Sequence, residues 1–184
     1  MKNTGTAIGS HAPDFELPGI DDRVYHLARY LDQYRVVAVI FMCNHCPYVG
    51  AYLERLKQLQ ADFQERGFTA MGINSNDMRD YPEDSFESMK RFASFKELNF
   101  PYLRDANQDV ARGFGAQKTP EVFLLDREGV IRYNGAIDDN AEEPTAVKEP
   151  YLRSAIGSLL AGESIAIAST QVVGCDLKWR PSES

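Results

Sequence analysis

The sequence lacks the basic clusters and long apolar segments that are typical of proteins that bind nucleic acid or span a membrane. Its 184 residues include 27 Asp and Glu but only 20 Lys and Arg, so the formal net charge is −7. No run of Lys and Arg with interleaved aromatic residues is present, and an acidic protein repels polyphosphate backbones. The longest apolar run, from Val36 to Cys43, is too short to span a bilayer. We therefore expect neither nucleic acid nor a membrane as a partner.

Cysteine is also scarce, with three residues in the whole chain. The first 15 residues contain one lysine and no apolar stretch of the kind found in an export signal. An odd number of cysteines without an export signal argues against a structural disulfide framework and favours thiol chemistry or metal binding. The length and the hydrophobic content of 43% fit one domain over residues 1–184. We expect a cytoplasmic protein.

Strand-like and helix-like segments alternate in the first half of the chain. Residues 35–42, RVVAVIFM, are almost continuously β-branched or apolar, which is typical of a central strand covered on both faces. Residues 47–66 place apolar side chains at helical spacing, and Gly67 marks the end of that helix. Residues 68–74, FTAMGIN, predict a second strand, so these segments form a βαβ unit.

The remaining segments complete an α/β fold. Residues 121–137 contain two apolar runs joined by the turn Asp-Arg-Glu-Gly, which predicts a hairpin. The other predicted elements are a leading hairpin at 12–27, a helix at about 83–98, a short strand at 100–105, a short helix at 107–115, a helix at 151–161 and an extended tail at 164–179. We therefore predict a central mixed β-sheet flanked by helices, with an N-terminal β-hairpin and a C-terminal extended tail.

The motif Cys43-Asn44-His45-Cys46 lies where the first buried strand gives way to a helix. Unpaired N–H groups and the dipole at a helix N-terminus stabilise a thiolate and lower its pKa. We therefore predict that Cys43 is an exposed nucleophile and that Cys46 is a covered, resolving thiol. A protonated His45 would add positive charge beside the thiolate, and Pro47 suits the first helical turn because it has no N–H.

Two other interpretations of the motif stay open. Both cysteines are small enough to serve as ordinary buried apolar residues. Alternatively they supply two ligands to a zinc or copper site, although a closed structural zinc site needs four ligands and no second CxxC is present. The candidate ligands for that site are Cys43, Cys46, His45, His11 and Cys175.

Five segments spread over nearly the whole chain resemble thioredoxin-like proteins related to the AhpC/TSA redoxin group. These segments are APDFELPG, CNHCPYV, GINSND, KTPEVFLLD and GCDLKWRP. The resemblance implies a thioredoxin-like fold and a thiol-disulfide oxidoreductase that cycles a Cys43–Cys46 disulfide without any other cofactor. Its substrate would be a disulfide-containing protein or a small thiol, and another thiol system would supply the electrons. The resemblance also implies a cis bond between Thr119 and Pro120, which leaves the Thr119 backbone opposite Cys43 and free to pair with an extended substrate.

The same resemblance leaves a peroxidase as the alternative. In peroxiredoxins the attacking cysteine corresponds to Cys46. Their PxxxTxxC motif, however, would need proline and threonine where this chain has Val39 and Cys43. Peroxide reduction is therefore the second hypothesis.

Three further features have two interpretations each. Glu121 either faces outward from its strand, which we favour, or faces the couple and takes a proton from Cys46. Cys175 either packs beside Trp179, which we favour, or resolves a mixed disulfide. The loop at 138–150 is either a solvated surface loop, which we favour, or a flap that screens partners by charge. The acidic residues of that loop are Asp138, Asp139, Glu142 and Glu143.

Overall fold

A five-stranded mixed sheet forms the centre of the protein in the computed structural model, which describes residues 7–181. Its strands are β3 (Val36–Phe41), β4 (Phe68–Asn74), β5 (Tyr102–Arg104), β7 (Glu121–Asp126) and β8 (Ile131–Gly135). The spatial order is β5-β4-β3-β7-β8. Strands β3, β4 and β5 are parallel, whereas β7 and β8 join as an antiparallel hairpin. The mixed sheet, the βαβ unit and the 121–137 hairpin are confirmed.

Helices cover both faces of the sheet. They are α1 (Leu27–Gln33), α2 (Pro47–Phe63), α3 (Phe86–Phe95), α4 (Asp109–Phe114) and α5 (Tyr151–Leu160). Helices α2, α3 and α5 pack on the face of β3 that carries Ala38 and Ile40, and α1 and α4 pack on the face that carries Val39 and Phe41. Because β3 alternates side chains between two apolar layers, every one of its residues is buried. Within residues 7–181, none of the helices combines the length and the apolar character needed to cross a membrane.

The leading hairpin is confirmed and a short helix follows it. Strands β1 (Glu16–Pro18) and β2 (Val24–His26) pair antiparallel. Helix α1 begins directly after β2, and the sequence did not predict it. It has only seven residues, and Leu27 is its one buried side chain, so no apolar periodicity identifies it.

Strand register brings the CxxC motif and Pro120 to the same end of the sheet. Phe41 lies opposite Glu121, and Val36 lies opposite Asp126. The CxxC loop therefore follows β3 at the edge where β7 begins, as expected from an antiparallel pair. The turn after Asp126 lies at the opposite end.

The C-terminal tail runs back along the molecule to that edge. It first bonds to β8. The Asn134 N–H donates to the Ala168 carbonyl, and the Thr170 N–H donates to the Asn134 carbonyl. Two short strands then pair antiparallel, β6 (Lys118–Thr119) and β9 (Cys175–Asp176). The tail is extended as predicted, but the sequence did not predict β6 or its pairing.

Candidate active site

Three cysteine sulfurs meet at Thr119, directly before Pro120. Cys46 and Cys175 form a disulfide with a Cα–Cα distance of 6.2 Å. Cys43 is free, and its Sγ lies 3.7 Å from the Thr119 hydroxyl oxygen. The Sγ of Cys46 lies 3.4 Å from the Thr119 carbonyl oxygen. This contact is not a hydrogen bond, because a sulfur in a disulfide carries no proton. The Thr119–Pro120 bond is cis, which confirms what the resemblance implied.

The predicted disulfide between Cys43 and Cys46 is wrong for this structure. Cys46 pairs with Cys175 because β9 places Cys175 opposite Thr119 in the β6–β9 ladder. The favoured interpretation of Cys175 as a packing residue beside Trp179 is wrong for the same reason. The backbone of Thr119 is also not free, since the tail of the same chain occupies its pairing position.

The prediction that Cys43 is an exposed thiol with a lowered pKa is also wrong. Cys43 is 1% exposed, and helix α2 begins only at Pro47, so Cys46 rather than Cys43 is the residue at its N-terminus. Burial raises the pKa of Cys43, and the negative charge of Asp84 raises it further. Hydrogen bonds from Thr119 and from the backbone of Cys46 and His45 oppose this rise in the pKa of Cys43 without cancelling it.

Asp84 organises the loop between the two cysteines. Its side chain is completely buried, and its oxygens accept hydrogen bonds from the Asn44 backbone N–H at 2.8 Å and from Asn74 and Asn76 side-chain amides. Nδ1 of His45 lies 2.6 Å from Oδ2 of Asp84. Asn44 and His45 are therefore positioned by a carboxylate, and the sequence prediction overlooked Asp84 because it lies in a polar segment that carries no motif.

His45 and Asn44 each have a second partner. The His45 ring stacks on Tyr81 with ring centroids 5.8 Å apart and an angle of 5° between the planes. Oδ1 of Asn44 accepts a hydrogen bond from the Tyr102 hydroxyl at 2.7 Å. Both residues thus fix the shape of the loop, which holds the two sulfurs at Thr119.

Behind the loop lies a layer of buried polar side chains that also holds the tail. Its members are Asn74, Ser75, Asn76, Asp77, Asp84, Arg104, Asp105 and Gln108, each 5% exposed or less. Oδ1 of Asn76 accepts a bond from the Lys178 backbone N–H at 2.9 Å, and the Gln108 amide donates to the Lys178 carbonyl at 3.0 Å. Buried polar groups need partners, and here the tail backbone supplies some of them.

Glu121 holds the segment before the cis proline. It is buried, and its Oε1 accepts hydrogen bonds from the backbone N–H groups of Gln117 at 2.9 Å and Lys118 at 3.1 Å. Oε2 accepts from the Asn134 amide at 3.2 Å. The favoured outward orientation is wrong, because the carboxylate is needed inside to satisfy these donors. Its hydrogen bonds make Glu121 a positioning residue for Thr119 rather than a partner of Cys46.

One potential metal-binding group overlaps the site. Ligand atoms of Cys43, His45 and Asp84 lie within 4.8 Å of one another. Asp84 already accepts bonds from four N–H groups, and the three ligands fall one short of a closed structural zinc site. His11 bridges to Val130 at the opposite end of the sheet, so this candidate ligand lies far from the cysteines.

The acidic loop is anchored at its start and solvated further on. Asp138 is buried and accepts two hydrogen bonds from Nη1 of Arg55 on α2, at 2.7 and 3.0 Å. The same guanidinium donates to the carbonyls of Asn140 and Ala141. The other acidic residues predicted to be solvated are exposed, namely Asp139, Glu142 and Glu143. A groove of about 520 Å³ separates this loop from the tail, with Tyr48 and Val173 in its walls.

Comparisons with known proteins identify the family and the fold. Residues 8–134 match the model of the AhpC/TSA family. The thiol:disulfide interchange protein DsbE of Escherichia coli is 31% identical over 156 residues, which cover 80% of this chain and 77% of DsbE. The crystal structure of an uncharacterized conserved protein from Geobacillus kaustophilus superimposes with a TM-score of 0.90 at 34% identity, covering 97% of this chain and 95% of that one.

A hypothetical protein from Sinorhizobium meliloti gives a TM-score of 0.86 at 35% identity, with 96% of each chain covered. The family match covers more than half of the chain and includes the CxxC motif, whereas Cys175 lies beyond the matched residues. The chain is a thioredoxin-like oxidoreductase and belongs to the AhpC/TSA family.

Proposed function

We propose that the protein is a thiol-disulfide oxidoreductase whose working disulfide joins Cys46 and Cys175, with Cys46 as the nucleophile. The observation that carries this proposal is the position of Cys46. It lies at the N-terminus of α2, beside the Thr119 carbonyl, and is bonded to the cysteine of a half-buried strand. The dipole of a 17-residue helix stabilises a thiolate at this position, which makes Cys46 both a good leaving group and a good nucleophile.

The reductive half of the cycle begins at Cys175, which is the more accessible sulfur. Cys46 is 3% exposed, whereas Cys175 is half-buried. A donor thiolate attacks the Cys175 sulfur, a donor–Cys175 disulfide forms and Cys46 leaves as a thiolate. A second donor thiol attacks the donor sulfur of this mixed disulfide, which releases oxidised donor and the Cys175 thiol.

In the other half of the cycle the Cys46 thiolate attacks a substrate disulfide. One substrate sulfur bonds to Cys46 and the other leaves as a thiol after taking up a proton. Cys175 then attacks the Cys46 sulfur, releases the reduced substrate and restores the Cys46–Cys175 disulfide. The proposal includes a disulfide-containing protein or small thiol as substrate, a separate thiol system as donor and a cytoplasmic location.

The test is turnover of a model disulfide by full-length protein and by Cys46→Ser. The substrate is oxidised glutathione and dithiothreitol supplies the electrons. Because Cys46→Ser lacks the nucleophile, its rate is expected to fall to the rate measured without protein. Circular dichroism before the assay establishes that the variant is folded. Turnover by Cys46→Ser at the wild-type rate would exclude this assignment.

A second candidate function is peroxide reduction, favoured by the same disulfide connectivity. Cys46 corresponds to the attacking cysteine of peroxiredoxins, and it is bonded to a cysteine 129 residues away instead of its CxxC neighbour. The Cys46 thiolate would displace hydroxide from hydrogen peroxide and become a sulfenic acid. Cys175 would then attack that sulfur and release water, leaving the observed disulfide.

This antioxidant activity has a direct test. Reduced protein is mixed with one equivalent of hydrogen peroxide, and peroxide loss is followed with time. Rapid consumption with one Cys46–Cys175 disulfide per peroxide supports a peroxidase. Consumption no faster than that of free cysteine restricts the protein to thiol-disulfide exchange.

A further inference from the structure

Cys43 is a free thiol that lies buried in the folded protein. It is 1% exposed and lies beneath the loop that Asp84 holds, with its sulfur against the Thr119 hydroxyl. The Sγ atoms of Cys43 and Cys46 both contact Thr119, one at its hydroxyl and the other at its carbonyl. The Cys46–Cys175 bond is therefore the disulfide that Cys43 can approach from inside the protein.

We propose that Cys43 opens the Cys46–Cys175 disulfide by internal exchange and thereby releases the covalent hold on the tail. The thiol of Cys43 loses a proton, its sulfur bonds to Cys46, and the Cys46–Cys175 bond breaks. Cys175 leaves as a thiolate and takes up a proton, so no external oxidant or reductant is consumed. The disulfide then joins Cys43 and Cys46. This inference rests on the proposed function and adds Cys43 to it as a catalytic residue.

The tail has the features of a substrate bound at the cis proline. Strand β9 pairs antiparallel with β6, with Cys175 opposite Thr119 and Asp176 opposite Lys118. A protein substrate held in a mixed disulfide would look the same: it would be an extended segment whose cysteine is bonded to the catalytic cysteine. When the exchange releases Cys175, the covalent bond no longer holds β9 at Thr119, and such a polypeptide can compete with β9 for the same backbone groups.

The surroundings of Gly174 indicate which polypeptide segments can pair with β6 at Thr119. A Cβ atom at this position would lie 2.3 Å from the Thr119 carbonyl oxygen. The residue before the paired cysteine therefore has no room for a side chain. The structure thus favours, as substrate, an extended segment in which glycine precedes the disulfide-bonded cysteine.

Trp179 provides a direct reporter of tail position. It is the single tryptophan of the chain, lies four residues beyond Cys175 and packs against the Arg112 guanidinium at 5.6 Å. Its fluorescence reports whether the tail is docked, and disulfide mapping reports which cysteines are paired. The two measurements separate exchange from tail release.

The experiment uses oxidised full-length protein incubated across a range of pH, quenched with acid, alkylated and mapped by mass spectrometry. Wild type is expected to give both Cys46–Cys175 and Cys43–Cys46 peptides. Cys43→Ser is expected to give only the first and Cys175→Ser only the second, with altered Trp179 fluorescence in Cys175→Ser. Met42→Leu changes a neighbouring buried side chain at similar volume and is expected to retain both peptides.

The outcomes distinguish this inference from the proposed function. If wild type reduces the model disulfide but its Cys43 thiol stays free at every pH, internal exchange does not occur, and Cys43 has no part in the cycle. If Cys43→Ala and Cys43→Ser both turn over substrate at the wild-type rate, the catalytic role is overturned as well. Absence of any model-disulfide reduction by wild type would instead overturn the proposed function.

Discussion

The two sides of the Cys46–Cys175 disulfide differ in how firmly the protein holds them. On one side, the CxxC loop is fixed by Asp84, whose buried carboxylate gathers four N–H groups. On the other side, no side chain between residues 161 and 176 is fully buried. Segments with few buried contacts open at a smaller free-energy cost than core segments. The disulfide therefore joins a fixed loop to a tail that has no buried side chain before Cys175 and is anchored beyond it, at Leu177 and Lys178.

This difference decides which sulfur can change partners. Cys43 and Cys46 are held at Thr119 in any state in which the loop is folded. Cys175 is kept there by a two-residue ladder and by backbone contacts further along the tail. An exchange that frees the Cys175 sulfur leaves the CxxC loop in place, whereas one that moves Cys43 would disrupt the core.

Asp84→Ala tests the fixed side and has the largest expected effect. The change leaves the N–H groups of Asn44, His45 and Asn76 without their buried acceptor, and removing one member of a buried charged network costs about 3–5 kcal/mol. Urea denaturation measures the loss in the free energy of unfolding. Glu83→Ala, at an exposed neighbouring position, is the matched control and is expected to unfold at the wild-type midpoint. Equal midpoints for the two variants would show that Asp84 does not hold the loop.

Gly174→Ala tests the tail side. The new methyl group meets the Thr119 carbonyl oxygen, so the tail must shift, and overpacking of this kind costs about 1–3 kcal/mol. Closure of the Cys46–Cys175 disulfide is then expected to be disfavoured by about tenfold or more. The fraction of closed disulfide in a glutathione redox buffer measures this change. Gly157→Ala, where the added atom has open space, is the control. Identical fractions in both variants would mean that β9 does not need glycine.

The pH dependence of the exchange between Cys43 and the Cys46–Cys175 disulfide tests the fixed side further, because the attacking thiol, Cys43, is buried there. Burial raises the pKa of Cys43, with the charge of Asp84 as a second cause. At neutral pH the thiolate fraction is small, so the exchange rate is expected to rise about tenfold per pH unit until the pH reaches that pKa. The stability that the neutral Cys43 thiol contributes is lost as pH rises through the same pKa.

Acid-quenched time courses measure that rate. Asp84→Asn removes the negative charge, so its profile is expected to shift to lower pH, towards the ordinary pKa of a thiol. A rate independent of pH in the wild-type protein would exclude Cys43 as the attacking group.

Lys118→Ala has the smallest expected effect. Lys118 forms an ion pair with Asp176 across the β6–β9 ladder, with the two side chains 37% and 76% exposed. Exposed pairs of this kind are weak and screened by salt. Trp179 fluorescence is expected to show a docked tail in both proteins at physiological ionic strength. Loss of the docked signal in Lys118→Ala would show that the ion pair, and not the backbone ladder, holds β9.

The sequence predicted the sheet and the position of the site because both follow from short-range patterns. The apolar run of β3, the helical spacing of α2 and the turn after Asp126 each identify an element without knowledge of the rest. The antiparallel pairing of β3 with β7 then places the CxxC loop beside Pro120. These features carried the prediction of a thiol site at this edge.

The partner of Cys46 could not be predicted in the same way. It depends on the course of the tail, which side chains of Asn76 and Gln108 fix through bonds to Lys178. Such bonds join residues far apart in sequence and leave no local pattern. The burial of Cys43 and the role of Asp84 have the same origin, because both arise where separate segments close over the CxxC loop.

The 129-residue separation of the bonded cysteines also sets the order in which the ribosome makes them. At a synthesis rate of about 5–20 residues per second, Cys175 follows Cys46 by on the order of ten seconds. Cys43 emerges together with Cys46, so a nascent chain first holds the neighbouring pair alone. Any disulfide formed within the chain before Cys175 is made would therefore join Cys43 to Cys46, and the pairing with Cys175 would be a later step of maturation.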